Sequence, residues 1–136
     1  MIDPEGSLQG PEGLLLSRDL IFTSKVTGTA RELGHRVMAA GNVALATEMI
    51  EQWHPKVVFV DLAAGELVSP PALRAYQKLA GPATPFVAFG SHVDTASLAA
   101  ATAAGCQIVM PRSQFSAQLP ALIERYLGES PVRGKD

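Results

Sequence analysis

Asp61 is the residue whose position best suits chemistry. It closes an apolar run over 56–61 (KVVFVD), whose β-branched and aromatic side chains predict a strand buried on both faces. In open α/β sheets ligands bind outside the carboxyl ends of the strands, so a carboxylate there is placed to act on a ligand. The sequence therefore predicts a functional carboxylate at one edge of a sheet.

Other residues with catalytic potential lack the spacing that their chemistry needs. Residues 90–92 read Gly-Ser-His, with Asp94 close by, but the nucleophile-elbow pattern G-x-S-x-G is absent. We expect a loop here, in which Ser91 or Asp94 caps the next helix. No metal site is predicted, because the histidines lie in separate connections without ligand spacing. These histidines are His35, His54 and His92.

Composition limits the class of protein. The chain has 136 residues, of which 47% are hydrophobic, so it can bury the core of one domain without disulfides. Its single cysteine, Cys106, begins a predicted strand and is expected to be a small core residue. With 11 basic and 13 acidic residues and no basic cluster, we expect neither nucleic-acid nor membrane binding. No export signal is recognised, which favours a cytoplasmic protein with a protein or small-molecule partner.

The hydrophobic period switches repeatedly between short apolar runs and helical spacing, which predicts a βα unit repeated five times. Such a pattern favours a parallel sheet between two layers of helices. The predicted strands are residues 14–16, 36–39, 57–60, 85–89 and 107–110. The predicted helices follow each strand; the second begins after Asn42, the third at Pro70-Pro71, and the start of the last is left open by Pro120. We assign residues 13–127 to the domain, 1–12 to a flexible leader and 128–136 to a flexible tail.

At this point the sequence resembles the receiver domains of bacterial two-component response regulators. The resemblance covers residues 13–127 and is carried by four pieces in order: ELGH at 32–35, PKVVFVDL at 55–62, PFVAF at 85–89 and AG at 104–105. It implies a flavodoxin-like, three-layer α/β sandwich with strand order 2-1-3-4-5. It also implies a role in phosphorelay signal transduction.

The resemblance assigns roles to individual positions. The phosphoacceptor aspartate of the family falls on Asp61, which matches. Its acidic pair, which binds Mg²⁺ after the first strand, falls on Ser17 and Arg18, so both carboxylates are absent, although Asp19 follows. This departure puts metal binding in doubt.

Three further positions also depart from the family. Its Ser/Thr after the fourth strand falls on Gly90, with Ser91 beside it, and its lysine after the fifth strand falls on Arg112. Its aromatic switch residue falls on Val109. The sequence therefore predicts a degenerate receiver, or pseudo-receiver, with a rewired pocket.

Charge gives the physical reason for this prediction. Phosphoryl transfer to a carboxylate brings negative charges together, and a receiver relies on Mg²⁺ and positioned donors to offset them. An arginine close to Asp61 would compete with the metal. We therefore expect Asp61 to be ion-paired with Arg18 or Arg112, and the protein to bind no cofactor.

The sequence leaves three functions open. The first is a non-enzymatic signalling module that acts through protein contacts, with phosphorylation lost or weak; the resemblance implies pairing, including homodimer formation, through the fourth helix, fifth strand and fifth helix. The second is a true phosphoaccepting regulator that uses Asp61 with Mg²⁺. The third, more distant one is a ligand-binding or enzymatic domain of flavodoxin-like fold.

Overall fold

The computed structural model describes residues 10–128. Most of the predicted leader, residues 1–9, and the predicted tail after residue 128 lie outside the described residues. Residues 10–12, which composition assigns to the leader, contact the domain: the backbone N–H of Glu12 donates to the carbonyl of Arg36, and the carbonyl of Glu12 accepts from Lys56. Across residues 10–128, no helix is long and apolar enough to cross a membrane.

Five parallel strands form one sheet in the order β2-β1-β3-β4-β5, which confirms the predicted α/β fold and strand order. Each strand lies within one residue of its predicted position. Their bounds are Gly13–Leu16 (β1), Val37–Ala40 (β2), Val57–Asp61 (β3), Phe86–Gly90 (β4) and Ile108–Pro111 (β5).

Five α-helices follow the strands, and side chains cap four of them, at Asp19, Asn42, Ser69 and Asp94. The predicted caps at Asn42 and Asp94 are thereby confirmed. The carboxamide of Asn42 accepts the N–H of Leu45, and the hydroxyl of Ser69 accepts the N–H of Ala72 ahead of the Pro-Pro pair. The caps end the extended loops and satisfy otherwise unpaired N–H groups. The helices are Leu20–Glu32 (α1), Val43–Trp53 (α2), Pro70–Ala80 (α3), Thr95–Ala103 (α4) and Arg112–Leu127 (α5).

The structure fixes the start of the last helix, which the sequence leaves open. α5 starts at Arg112, and Pro120 lies inside it. Phe115 is fully buried and continues the apolar face of Leu119 and Leu122 at helical spacing, so tertiary packing holds the turns before the proline. The consequence for the site is that Arg112 occupies the first turn of a helix, directly after β5.

Helices cover both faces of the sheet and enclose two apolar layers. α1 and α5 pack on one face around Phe59 and Phe89, and α2, α3 and α4 pack on the other around Val58 and Val60. β3 is the middle strand of the sheet, and all of its residues are buried. Asp61, its last residue, therefore lies between the two apolar layers.

A 3-10 segment, Leu62–Val68, follows Asp61 and was not foreseen. Gly65 interrupts it with φ 65° and ψ −130°, a conformation that favours glycine. The carboxylate of Asp61 caps the segment by accepting the N–H of Ala63 at 3.0 Å. The carboxylate of Asp61 thus also shapes the loop that follows it.

Candidate functional site

Asp61 lies at the carboxyl edge of the sheet, with 1% of its surface exposed. Its Oδ2 accepts a hydrogen bond from the Ser17 hydroxyl at 2.8 Å. Its Oδ1 accepts from the guanidinium of Arg112 at 2.7 Å and from the backbone N–H of Ala63 at 3.0 Å. Three donors from three separate elements therefore compensate the buried carboxylate.

Arg112 is the arginine that pairs with Asp61. Its side chain is 33% exposed, and its guanidinium carbon lies 4.9 Å from the ring centre of Phe22 and 5.3 Å from that of Phe89. Phe89 in turn stacks on Phe115, with ring centres 4.1 Å apart. The cation is thus held by a carboxylate on one side and by aromatic faces on the other, which fixes its position better than an ion pair alone.

Arg18, the other candidate partner, points elsewhere. It is exposed, and its Nε donates to the carbonyl of Gly41 at 3.0 Å, after β2. Burial raises the pKa of the Tyr76 hydroxyl on α3, and the positive charge of Arg18 partly opposes that rise. The predicted ion pair of Asp61 is therefore confirmed for Arg112. Arg18 instead binds the loop after β2.

Ser17 and Asp19 complete the β1–α1 connection. The Ser17 hydroxyl donates to Asp61 and accepts the N–H of Asp19 at 3.1 Å. Oδ1 of Asp19 accepts the N–H of Phe22 at 3.0 Å and so caps α1. Asp19 is exposed and occupied as a helix cap, so the two carboxylates of this corner are not directed at one point.

Leu62 occupies the space beside Gly90. A Cβ built on Gly90 would lie 3.2 Å from Cβ of Leu62 and 3.3 Å from its Cδ1, so a serine or threonine there would press on this side chain. Ser91 does not substitute for it, because this residue is exposed and its hydroxyl accepts the N–H of Val93 at 3.4 Å. No hydroxyl from β4 therefore reaches Asp61 in the described structure.

Val109, at the aromatic switch position, is partly buried in β5 opposite Ala88. It packs against the layer that α2, α3 and α4 cover. A branched aliphatic side chain has no ring to rotate between inward and outward positions. The switch that the resemblance implies has no equivalent at this position.

The oxygen atoms at the site are better suited to accept hydrogen bonds from an arginine than to bind Mg²⁺. Mg²⁺ takes near-octahedral oxygen ligands and in phosphoryl-transfer sites one or two carboxylates. Within residues 10–128, no group of three or more His, Cys, Asp or Glu side chains could hold a metal ion together. Asp61 is the buried carboxylate of this corner in the described residues, and both of its oxygen atoms already accept hydrogen bonds from protein donors.

Exposed apolar side chains surround the same edge. Leu20 and Ile21, in the first turn of α1, are 82% and 86% exposed, and Val93, in the loop after β4, is 74% exposed. A separate groove of about 450 Å³ runs from Leu62 along the 3-10 segment to the alanine-rich face of α4. Contiguous exposed apolar patches often mark interaction sites, whereas single exposed apolar residues are common on protein surfaces.

Comparisons with known proteins find likeness in structure only. No family model matches the sequence, and no curated protein matches it. A response regulator from Thermotoga maritima superposes with a TM-score of 0.71 at 19% identity, over 89% of this chain and 100% of that one.

Two receiver domains give similar values. One, from NtrX of Brucella abortus, has a TM-score of 0.72 at 20% identity, over 85% of this chain and 97% of that one. The other belongs to a sensor histidine kinase of Pseudomonas aeruginosa PAO1, determined with a magnesium ion in its active-site cleft; it has a TM-score of 0.71 at 20% identity and covers 89% of this chain and 100% of that one. The chain therefore has the fold of response-regulator receiver domains.

Proposed function

We propose that this protein is a receiver-like signalling module that acts through protein contacts, not as an enzyme, and that phosphorylation of Asp61 is lost or weak. The fold supports the first part of this proposal, since the structures it resembles include response regulators and receiver domains. The pocket supports the second part. Fold alone does not fix function, so the proposal depends on the site.

The observation that carries the proposal is the ion pair between Asp61 and Arg112. Both oxygens of the carboxylate already face donors, and the guanidinium delivers one of them at 2.7 Å. Attack on a phosphoryl group needs a free carboxylate oxygen and a cation that balances the entering phosphate. Here the cation, Arg112, already neutralises Asp61, the carboxylate that would attack the phosphoryl group. The charges in the pocket are therefore balanced without phosphate.

On this proposal the module transmits its signal by protein contact. Leu20 and Ile21 are exposed next to Phe22 in the chain, and the buried ring of Phe22 contacts Arg112, so a partner bound there would lie next to a side chain that packs on the site. The face formed by α4, β5 and α5 is the second surface, where the resemblance implies pairing. We propose no nucleic-acid or membrane partner, since net charge is −2 without a basic cluster.

Magnesium titration tests the proposal. Calorimetry with millimolar Mg²⁺ should show no saturable binding to the natural protein. A restored variant, with Ser17→Asp, Arg18→Asp and Arg112→Lys together, should bind Mg²⁺ because it regains two carboxylates and loses the guanidinium at Asp61. The matched control carries Ser17→Asp and Arg18→Asp but keeps Arg112, and it should bind Mg²⁺ more weakly than the restored variant. Saturable binding by the natural protein that disappears in Asp61→Asn would contradict the proposal.

A true phosphoacceptor is the second candidate function. It is favoured by the position of Asp61 at the carboxyl end of the central strand and by the likeness to a receiver domain determined with magnesium. In that case Arg112 would have to release Asp61 when the metal enters. The same titration separates the two functions, since only this one requires Mg²⁺ binding by the natural sequence.

A further inference from the structure

The groove of about 450 Å³ lies between the 3-10 segment, the start of α3 and the first turns of α4. Its volume falls within the range of about 300–1,000 Å³ that is typical of small-molecule sites. Leu62, Pro70 and Ala100 line it with half-buried surface, and the buried side chains of Val68 and Leu73 complete the apolar lining. The groove therefore offers apolar surface to a ligand.

The hydrogen-bonding groups along the groove are mainly acceptors. The first two residues of α3 are prolines, which have no N–H, and the N–H of Ala72 donates to Oγ of Ser69 at 3.3 Å. On α4, the Ser97 hydroxyl donates to Oδ2 of Asp94 at 2.7 Å, so this hydroxyl has acceptor lone pairs left. An anion would not find at residues 70–72 the free N–H groups that usually bind anions at a helix start. These groups favour a ligand that donates.

The charge at the groove is negative. Glu66 lines it, and Asp94 binds Ser97 at the α4 side. Among the described residues that line the groove, none is a lysine, an arginine or a histidine. The starts of α3 and α4 contribute a partial positive charge of about 0.5 each, whereas the two carboxylates are both ionised at neutral pH. The negative charge therefore dominates and favours a cation.

We propose that this groove binds a small organic ammonium compound. Its apolar body would pack on Leu62 and Ala100, and its ammonium group would donate to Glu66. Such a ligand matches the apolar lining, the acceptors and the charge at the same time. The inference goes beyond the proposed function, and it holds whether or not Asp61 accepts a phosphoryl group.

A ligand in the groove would contact the loop that the Asp61 carboxylate shapes. Leu62 lines the groove and also lies beside Gly90, where a Cβ would be 3.2 Å from Cβ of Leu62. The N–H of the next residue, Ala63, donates to Asp61 at 3.0 Å. Binding should therefore shift the amide signals of Ala63 and Gly90, at the carboxyl edge of the sheet.

Nuclear magnetic resonance on the full chain tests the proposal with phenethylamine, phenethyl alcohol and phenylacetate. These compounds have similar sizes and are cationic, neutral and anionic at neutral pH. The amine should shift the methyl signals of Leu62, Val68 and Leu73 saturably, with a dissociation constant on the order of millimolar for so small a compound. The methyl signals of Leu119, on the opposite face of the sheet, should not move.

The other two compounds test the charge. The alcohol should bind about threefold more weakly than the amine, which is the size expected for an exposed ion pair with Glu66. Phenylacetate should not bind.

Four variants make the test specific. Glu66→Gln should weaken binding of the amine about threefold and leave binding of the alcohol unchanged. Glu32→Gln removes an exposed carboxylate from α1, on the other face of the sheet, and is its matched control. Ala100→Leu fills the groove and should abolish binding of both compounds. Ala99→Leu, at an exposed position of α4 outside the lining, is the control for the added bulk.

Four results would overturn the proposal. They are the absence of saturable shifts with the amine, binding of phenylacetate as tight as that of the amine, and binding of the amine that persists in Ala100→Leu. The fourth is broadening of the same methyl signals with protein concentration when no compound is added, which would assign the groove to a second copy of the chain. If Ala100→Leu does not fold, the compound series and Glu66→Gln still decide the outcome.

Discussion

Removing the guanidinium of Arg112 should destabilise the protein and reveal the energy of its pair with Asp61. Arg112→Met is the best change, because methionine keeps apolar contact with Phe22 and Phe89 while it removes the charge. Asp61 keeps the Ser17 hydroxyl and the Ala63 N–H as donors. The measured loss then reports on the ion pair more than on packing.

The expected size follows from burial. Breaking a buried pair costs about 3–5 kcal/mol, whereas exposed pairs contribute about 0.2–1 kcal/mol. The Asp61 side chain is 2% exposed and that of Arg112 is 33% exposed, so this pair lies between the two limits. Solvent screens the arginine, and two donors remain on the carboxylate. We therefore expect a coupling energy of about 1.5–3 kcal/mol, the range of a hydrogen bond to a charged group.

A double-mutant cycle in urea measures this coupling. Free energies of unfolding are compared for the natural protein, Arg112→Met, Asp61→Ala and the double variant. A second cycle with Arg18→Met is the control, and its coupling to Asp61 should be near zero because Arg18 donates to Gly41. Coupling of Arg112 within error of zero, or a larger coupling of Arg18, would refute the argument that Arg112 holds Asp61.

Three further predictions concern other parts of the molecule. Burial raises the pKa of the Cys106 thiol to about 11, so alkylation at pH 8 should be much slower in the native protein than in urea, as intact-mass measurements would show; equal rates would contradict this. Gly90→Thr should cost about 1–3 kcal/mol in urea unfolding through its clash with Leu62, and Leu62→Ala should recover part of the loss. Hydrogen bonds from the Ser97 hydroxyl and N–H lower the pKa of Asp94, so its stabilisation is present above the unfolded value of about 3.9 and is lost as pH falls through the lower folded value. Asp94→Ala should therefore show a weaker loss of stability on acidification, and an unchanged acid limb would contradict this.

The identity of the strands follows from the sequence because each apolar run is short, continuous and followed by helical spacing, whereas their order was implied by the resemblance to receiver domains. Chain direction and right-handed crossovers then leave few topologies for five such units. The start of α5 was not accessible in the same way. Pro120 gave a local signal against a helix, and the burial of Phe115 against the sheet, which overrides that signal, is a tertiary effect.

The sequence predicted which kind of residue would pair with Asp61, but not which of two arginines it would be. The sequence indicated an arginine for Asp61, yet two residues, Arg18 and Arg112, fitted that role. The choice depends on the aromatic rings that hold Arg112 and on the Gly41 carbonyl that binds Arg18, which are far apart in the chain. Leu62 was also missed, although it directly follows Asp61 and fills the space beside Gly90.

Intact-mass spectrometry after incubation with acetyl phosphate and Mg²⁺ tests the central claim most directly. If Arg112 holds Asp61 in a charge-neutral pair, the natural protein should gain no phosphoryl group, and beryllofluoride should leave its amide spectrum unchanged. A stoichiometric acyl-phosphate adduct on Asp61, absent from Asp61→Asn, would contradict the claim and identify the protein as an active phosphoacceptor.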